Sequence, residues 1–65
     1  MKWRNISFNR KDTAEECREE MVKAGIKVGD IFLNDEYFLL PWMPMSKEEY
    51  EYGINIAFKH IFNRR

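Results

Sequence analysis

Residues 26–42, IKVGDIFLNDEYFLLPW, decide the fold of this chain. Two runs rich in β-forming residues, 26–33 and 36–42, flank Asn34-Asp35, a pair that tolerates turn conformations. The stretch therefore predicts a β-hairpin. Large apolar side chains occur on both faces of its second arm, so we expect each face to be at least partly covered.

Two residues interrupt the arms of this hairpin. Gly29 predicts a bulge or a bend in the first arm. Pro41 has no N–H group to donate to a neighbouring strand, so we expect the second arm to end there or to lie at a sheet edge. Residues 42–45, WMPM, then form a short, stiff, apolar connector.

Outside the hairpin the sequence predicts one strand and two helices. Residues 2–8 favour a strand. Asp12 is a good N-cap for a helix that Gly25 closes. Ser46 and Glu49 form a capping box at the start of the last helix. The apolar stripe of that helix consists of Tyr50, Ile54, Ala57, Phe58 and Ile61.

The resulting element order is β-α-β-β-α. We expect an α+β fold in which residues 1–65 form a single small domain, with two helices packed on one face of a three-stranded antiparallel sheet of order 2-3-1. A chain of this length buries only about 60% of the surface that it exposes when unfolded. Ten of its residues are Phe, Tyr or Trp, and their large rings supply the core.

Composition argues against several classes of protein. Lys and Arg number 11, as do Asp and Glu, so the net charge is zero. A neutral chain argues against a protein devoted to nucleic acid, where attraction to phosphate supplies most of the affinity. No apolar run approaches the roughly 20 residues of a membrane span, and no signal-peptide pattern is present. The lone cysteine, Cys17, suits a reducing cytoplasm.

The sequence offers no recognisable catalytic constellation. His60 is the only histidine, and we expect it to flank the core stripe of the last helix. Cys17 falls on an apolar stripe and should behave as a small buried hydrophobe. A divalent-metal site on Glu16 and Glu20 is conceivable at their i, i+4 spacing, but the helix dipole already explains acids in first turns. We therefore expect no enzymatic activity, no cofactor and no metal.

Two apolar features point to protein binding. Tyr52 and Ile56 lie roughly opposite the core stripe of the last helix, where apolar residues often mark an interface. Trp42, Met43 and Met45 flank two prolines and suit binding hot spots. Our leading hypothesis is a non-enzymatic protein-binding module: a small intracellular regulator or inhibitor, of phage or mobile-element type, that docks on a larger protein and can form a homodimer or higher oligomer.

Two alternatives stay open. In the first, basic residues near both ends form a nucleic-acid patch with an aromatic stacking platform. Its residues are Lys2, Trp3, Arg4, Arg10, Lys11, Lys59, Arg64 and Arg65. In the second, an oligomer holds a small anionic ligand, such as a nucleotide, between its subunits.

Overall fold

A computed structural model of the chain describes residues 2–62. The elements in chain order are β1 (Arg4–Phe8), α1 (Lys11–Lys23), β2 (Lys27–Val28), β3 (Phe32–Asn34), β4 (Tyr37–Met43) and α2 (Lys47–Phe62). All strand pairs are antiparallel, and the two helices share one core on one face of the sheet. The expected α+β class is confirmed, with four strands in place of three.

The strand β4 is the centre of the sheet. On one side β1 pairs along most of its length, from Arg4 opposite Trp42 to Phe8 opposite Phe38. On the other side β2 pairs with the C-terminal end of β4 and β3 with its N-terminal end. The first hairpin arm is therefore split into two short strands, and the expected order 2-3-1 holds if β2 and β3 are counted as that one arm.

The split between β2 and β3 is a β-bulge. Val28 lies opposite Trp42, whereas Phe32 lies opposite Leu39. Residues 29–31 therefore face only two residues of β4, which is the one-residue excess that defines a bulge. The irregularity expected at Gly29 is confirmed.

A side-chain donor explains how a proline fits inside the central strand. Gly29 donates its backbone N–H to the carbonyl of Pro41 at 2.9 Å. Within a strand the N–H and C=O of one residue point to the same neighbour, so the missing N–H of Pro41 faces the Gly29 carbonyl, which instead accepts a hydrogen bond from Nε of Arg18 at 2.8 Å. The expectation that the arm ends at Pro41 or lies at an edge is wrong: β4 continues through Trp42 to Met43.

Side chains of β4 alternate between a covered and an uncovered face. Leu40 and Trp42 point to the helices and are buried, whereas Leu39, Pro41 and Met43 point away from them and are half-buried. The core consists of Phe8, Ala14, Cys17, Met21, Ile26, Leu40, Trp42, Ile56 and Ala57.

The helix α1 ends as expected but begins differently. Gly25 has φ of +83°, its N–H donates to the carbonyl of Val22, and the N–H of Ile26 donates to that of Met21. These two bonds form a Schellman motif. At the other end the N-cap position is Arg10 and not Asp12. Asp12 lies in the first turn, where its carboxylate accepts two hydrogen bonds from the Arg10 guanidinium.

The helix α2 starts with the expected cap but presents a different face to the core. Ser46 Oγ accepts the N–H of Glu49 at 3.1 Å, and the Glu49 carboxylate accepts the N–H of Met45 at 2.9 Å. The buried residues are Gly53, Ile56 and Ala57. Phe58, expected in the core, is 52% exposed. The helix is therefore turned about its axis from the expected stripe towards Ile56.

Gly53 causes this rotation. A Cβ atom at Gly53 would lie 2.8 Å from Cη2 of the Trp42 ring and closer still to Cζ3. Only glycine lets the indole lie directly against the helix backbone at this point. The Trp42 ring therefore packs against Gly53, which has no side chain, and the buried side of α2 is centred on this glycine.

Gly53→Ala tests this packing because two effects oppose each other. Alanine in place of glycine in a helix interior normally stabilises by about 1 kcal/mol. Here we expect the clash with Trp42 to prevail and to lower the free energy of unfolding by about 1–3 kcal/mol, measured by urea denaturation. The control is Asn55→Ala on the exposed side of α2, which should be neutral or slightly stabilising. A Gly53→Ala protein as stable as the parent would show that the indole does not lie on the helix.

Candidate functional site

The face of the sheet that points away from the helices is open and largely apolar along β3 and β4. Phe32 pairs with Leu39 and shares its face, while Lys27 pairs with Met43. Trp3, just before β1, lies beside Gly29 on the same side. We call the following residues the open sheet face: Trp3, Phe32, Tyr37, Leu39, Pro41 and Met43.

The aromatic residues of the open sheet face are exposed and surrounded by polar groups. Trp3 is 52% exposed, Tyr37 48% and Phe32 45%. The Lys27 ammonium lies 6.0 Å from the centroid of the Trp3 ring, within the range of a cation–π contact. Asn5, paired with Pro41, belongs to the polar β1 side of this face. The arrangement is that of an apolar centre with a polar margin.

A second concave feature lies where β4 leads into α2. This groove has a volume of about 470 Å³. We call it the α2 groove, and it is lined by Lys2, Arg4, Pro44, Met45, Ser46, Lys47 and Tyr50. Three of these residues are cationic and none is acidic. The carboxylate of the nearby Glu49 is held by the N–H of Met45.

Aromatic contacts fix the wall of the α2 groove. The rings of Tyr50 and Trp42 are stacked, with centroids 5.7 Å apart and an interplanar angle of 11°. The Arg4 guanidinium carbon lies 4.7 Å from the centroid of Tyr50. Because Trp42 is 1% exposed, the core itself positions Tyr50, and Tyr50 in turn positions Arg4.

Four of the other basic residues in the described chain are held by carboxylates. The ion pairs are Arg10–Asp12, Lys11–Glu15, Arg18–Asp30 and Lys59–Glu20. The hydrogen bond from Arg10 lowers the pKa of Asp12 to about 2. Within residues 2–62, these pairs leave out Lys23 and Lys27 as well as Lys2, Arg4 and Lys47. Three of these five cations line the α2 groove.

The residues expected to bind protein are separated by the fold. Tyr52 is 54% exposed and Met45 is 50% exposed, whereas Ile56 and Trp42 are 4% and 1% exposed. The expected exposure of Ile56 is wrong because α2 turns this residue towards α1. The expected exposure of Trp42 is wrong because β4 carries this residue into the core. Met43 lies on the open sheet face.

The residues of the nucleic-acid alternative do not converge within the described chain. Lys2 and Arg4 line the α2 groove, and Trp3 lies on the open sheet face. Arg10 and Lys11 follow the far end of the five-residue strand β1, about 17 Å away. Lys59 lies on α2 and pairs with Glu20. Arg64 and Arg65 lie outside the described residues.

Two residues of these surfaces, Leu39 and Lys47, have features in the sequence that indicate a role beyond the fold. Leu39 belongs to the second apolar face of the arm 36–42, and a strand that is apolar on both faces needs cover on both. Lys47 stands in the first turn of α2, where the helix dipole disfavours a cation. A positive charge at this position does not stabilise the helix, so its presence indicates another role. Phe32 offered no such signal before the bulge fixed its register.

The only cysteine is unsuited to nucleophilic catalysis. Cys17 is fully buried. Burial, reinforced by the negative charge of Glu20, raises the pKa of its thiol to about 12. The thiol is therefore protonated at neutral pH, whereas nucleophilic cysteines need thiolate character. The expectation of a small buried hydrophobe is confirmed.

His60 and Lys59 join α2 to α1 through one carboxylate. Nε2 of His60 lies 2.8 Å from one Glu20 oxygen, and the Lys59 ammonium lies 2.5 Å from the other. These hydrogen bonds, led by the one from Lys59, lower the pKa of Glu20. Both carboxylate oxygens of Glu20 are thus bonded to side chains of α2. Among residues 2–62, no three His, Cys, Asp or Glu side chains gather around a common metal position.

The described residues include no helix whose length and apolar character would let it cross a bilayer. The longer of the two helices, α2, has 16 residues and carries charged side chains on its exposed side.

Glu20→Gln should change how stability depends on pH. The lowered pKa of Glu20 means that its contribution is present above its ordinary value of 4.5 and is lost as the pH falls through and below that value. At pH 6 we expect the variant to be less stable than the parent by about 1 kcal/mol or less, as for other partly exposed ion pairs. Urea denaturation between pH 3 and pH 6 should show this difference shrinking with acid. The control is the exposed Glu19→Gln, and a difference that persists unchanged at pH 3 would contradict the assignment.

Comparison with known proteins identifies no relative of this chain: no protein-family model, curated protein or solved structure matches it.

Proposed function

We propose that this chain is a non-enzymatic protein-binding module that docks on a larger protein through the open sheet face. One observation carries the proposal. An antiparallel sheet with helices on one side normally turns polar residues outwards on the other. Here the outward positions of β3 and β4 carry Phe32, Tyr37, Leu39 and Met43.

The chemistry of this face suits a binding hot spot. Aromatic and Met side chains are enriched where interfaces gain most of their affinity. Trp3, Phe32 and Tyr37 are held on or beside strands, so little conformational freedom is lost when a partner covers them. Asn5 and Lys27 supply polar groups at the margin, which is the usual arrangement around an apolar centre.

The distribution of exposed apolar residues favours a larger partner over a second copy. Two copies stacked through their open sheet faces would leave the exposed Met45 and Tyr52 uncovered. A larger protein can also contact the edges of the module, including Met45 and Tyr52.

A module without catalytic groups acts by occupying a surface of its partner, so its role would be that of a regulator or inhibitor. We also propose that the protein acts in the cytoplasm. The lone cysteine, Cys17, is buried and protonated and needs no disulfide partner. The proposal of a non-enzymatic role is supported by the burial of Cys17, which keeps its thiol protonated.

A site-directed crosslink tests this proposal. The photoreactive residue benzoylphenylalanine replaces Phe32 in the cells that make the protein. We expect one crosslinked species, heavier than two chains of 8.0 kDa. Excess parent protein should abolish it. A Trp3→Ser/Phe32→Ser competitor should need at least about tenfold more protein, because exposed aromatic anchors dominate such affinities.

The matched control places the same photoreactive residue at Phe58, which is exposed to a similar degree but lies on α2. Equal crosslinking from both positions would remove the open sheet face as the docking surface. A species of twice the chain mass would make a second copy the occupant and overturn the larger partner. Thermal melting of the competitor checks that it is folded.

A further inference from the structure

We propose that the α2 groove binds the phosphate group of a small molecule. The inference does not rest on the proposed function, because the α2 groove and the open sheet face share no residues. The α2 groove opens at the end of the helix layer, whereas the open sheet face lies on the other side of the strands. Each surface can therefore be tested without the other.

The charge of the α2 groove is the first argument. Lys2, Arg4 and Lys47 bring three positive charges to one concave wall of a protein whose net charge is zero. Like charges held together raise the local potential, and a concave surface of low dielectric strengthens it. An anion in the groove would remove this repulsion. Surface ion pairs remove it at Arg10, Lys11, Arg18 and Lys59, but not here.

The position of Arg4 is the second argument. Its guanidinium lies against the Tyr50 ring, which is itself stacked on the buried Trp42. A guanidinium held by its face keeps its N–H edge available for the two oxygens of an oxyanion. Within residues 2–62, the side chains of Arg4, Lys2 and Lys47 donate no hydrogen bond. The Arg4 guanidinium is thus placed by the core, and its donors are unused.

Lys47 gives a third argument. A cation in the first turn of a helix opposes the helix dipole, and the sequence supplies Glu48 and Glu49 where acids are preferred. Ser46 Oγ already accepts a helix N–H, so the cap does not need Lys47. Lys47 lowers helix stability slightly and is explained if its charge acts on a ligand in the groove. The three cations, and not the helix terminus, form the site.

The number of charges selects phosphate over carboxylate. A phosphate monoester carries about −1.5 to −2 charges at neutral pH and three acceptor oxygens, whereas a carboxylate carries one charge and two oxygens. Nucleic acid would need cations along a track, and the next basic residues beyond β1, Arg10 and Lys11, are held by Asp12 and Glu15. A volume of about 470 Å³ lies within the range of small-molecule sites.

Titration with inorganic pyrophosphate and inorganic phosphate, followed by two-dimensional NMR and calorimetry, tests the inference. We expect saturable binding whose largest chemical-shift changes map to the backbone of Arg4, Met45, Lys47 and Tyr50. Arg4→Gln should weaken pyrophosphate binding by at least about tenfold, since a charge-assisted bidentate contact is lost. Lys47→Gln, at an exposed position, should weaken it in the same direction if Arg4→Gln is too unstable to measure.

The control is Lys23→Gln, which removes the same charge from the end of α1 and should leave affinity within about twofold. Equal weakening by Lys23→Gln would show a response to net charge and overturn the site. Three other results would also overturn the site. Citrate could bind as tightly as pyrophosphate, or a single-stranded oligonucleotide without a terminal phosphate could do so. Alternatively, pyrophosphate could cause no chemical-shift change at the α2 groove. Retention of the Phe32 crosslink in Arg4→Gln would separate failure here from failure of the proposed docking face.

Discussion

The contact between the Trp42 ring and the backbone of α2 at Gly53 is the constraint on which most of this small structure depends. It sets the rotation of α2 about its axis, and therefore decides which apolar residues of that helix are buried. It also places Tyr50 on the indole and, through Tyr50, positions the Arg4 guanidinium. The core and the wall of the α2 groove are thus consequences of one packing contact. A 65-residue chain has few alternatives, because its core contains few large side chains.

The hydrogen bond from Arg18 to the Gly29 carbonyl helps to make that contact possible. Without it, the missing N–H of Pro41 would leave this carbonyl unpaired and would favour the end of β4 before Trp42. With it, the strand continues for two residues, so that Trp42 enters the core and Met43 enters the open sheet face. The pairing at Gly29 therefore affects both the core and the open sheet face.

Local rules predicted much of the fold from the sequence. The strand order follows from a hairpin joined to a preceding strand, and the ends of the helices follow from Gly25 and from the Ser46 capping box. The inferences that failed concerned which residues of α2 and β4 face the core. Hydrophobic periodicity counts side chains, so it could not recognise Gly53 as the centre of a buried face, and it exchanged Ile56 for Phe58. Sequence patterns could not predict the α2 groove either, since Lys2, Arg4 and Lys47 are brought together only by the pairing of β1 with β4.

The alternation of a single strand keeps the two surfaces apart while joining them mechanically. Lys2 and Arg4 line the α2 groove, and Trp3 between them points to the open sheet face. An anion held by the two flanking cations would restrict the backbone that carries Trp3 without touching the indole itself. Occupation of the groove and docking on the open sheet face are therefore compatible, because they use different side chains.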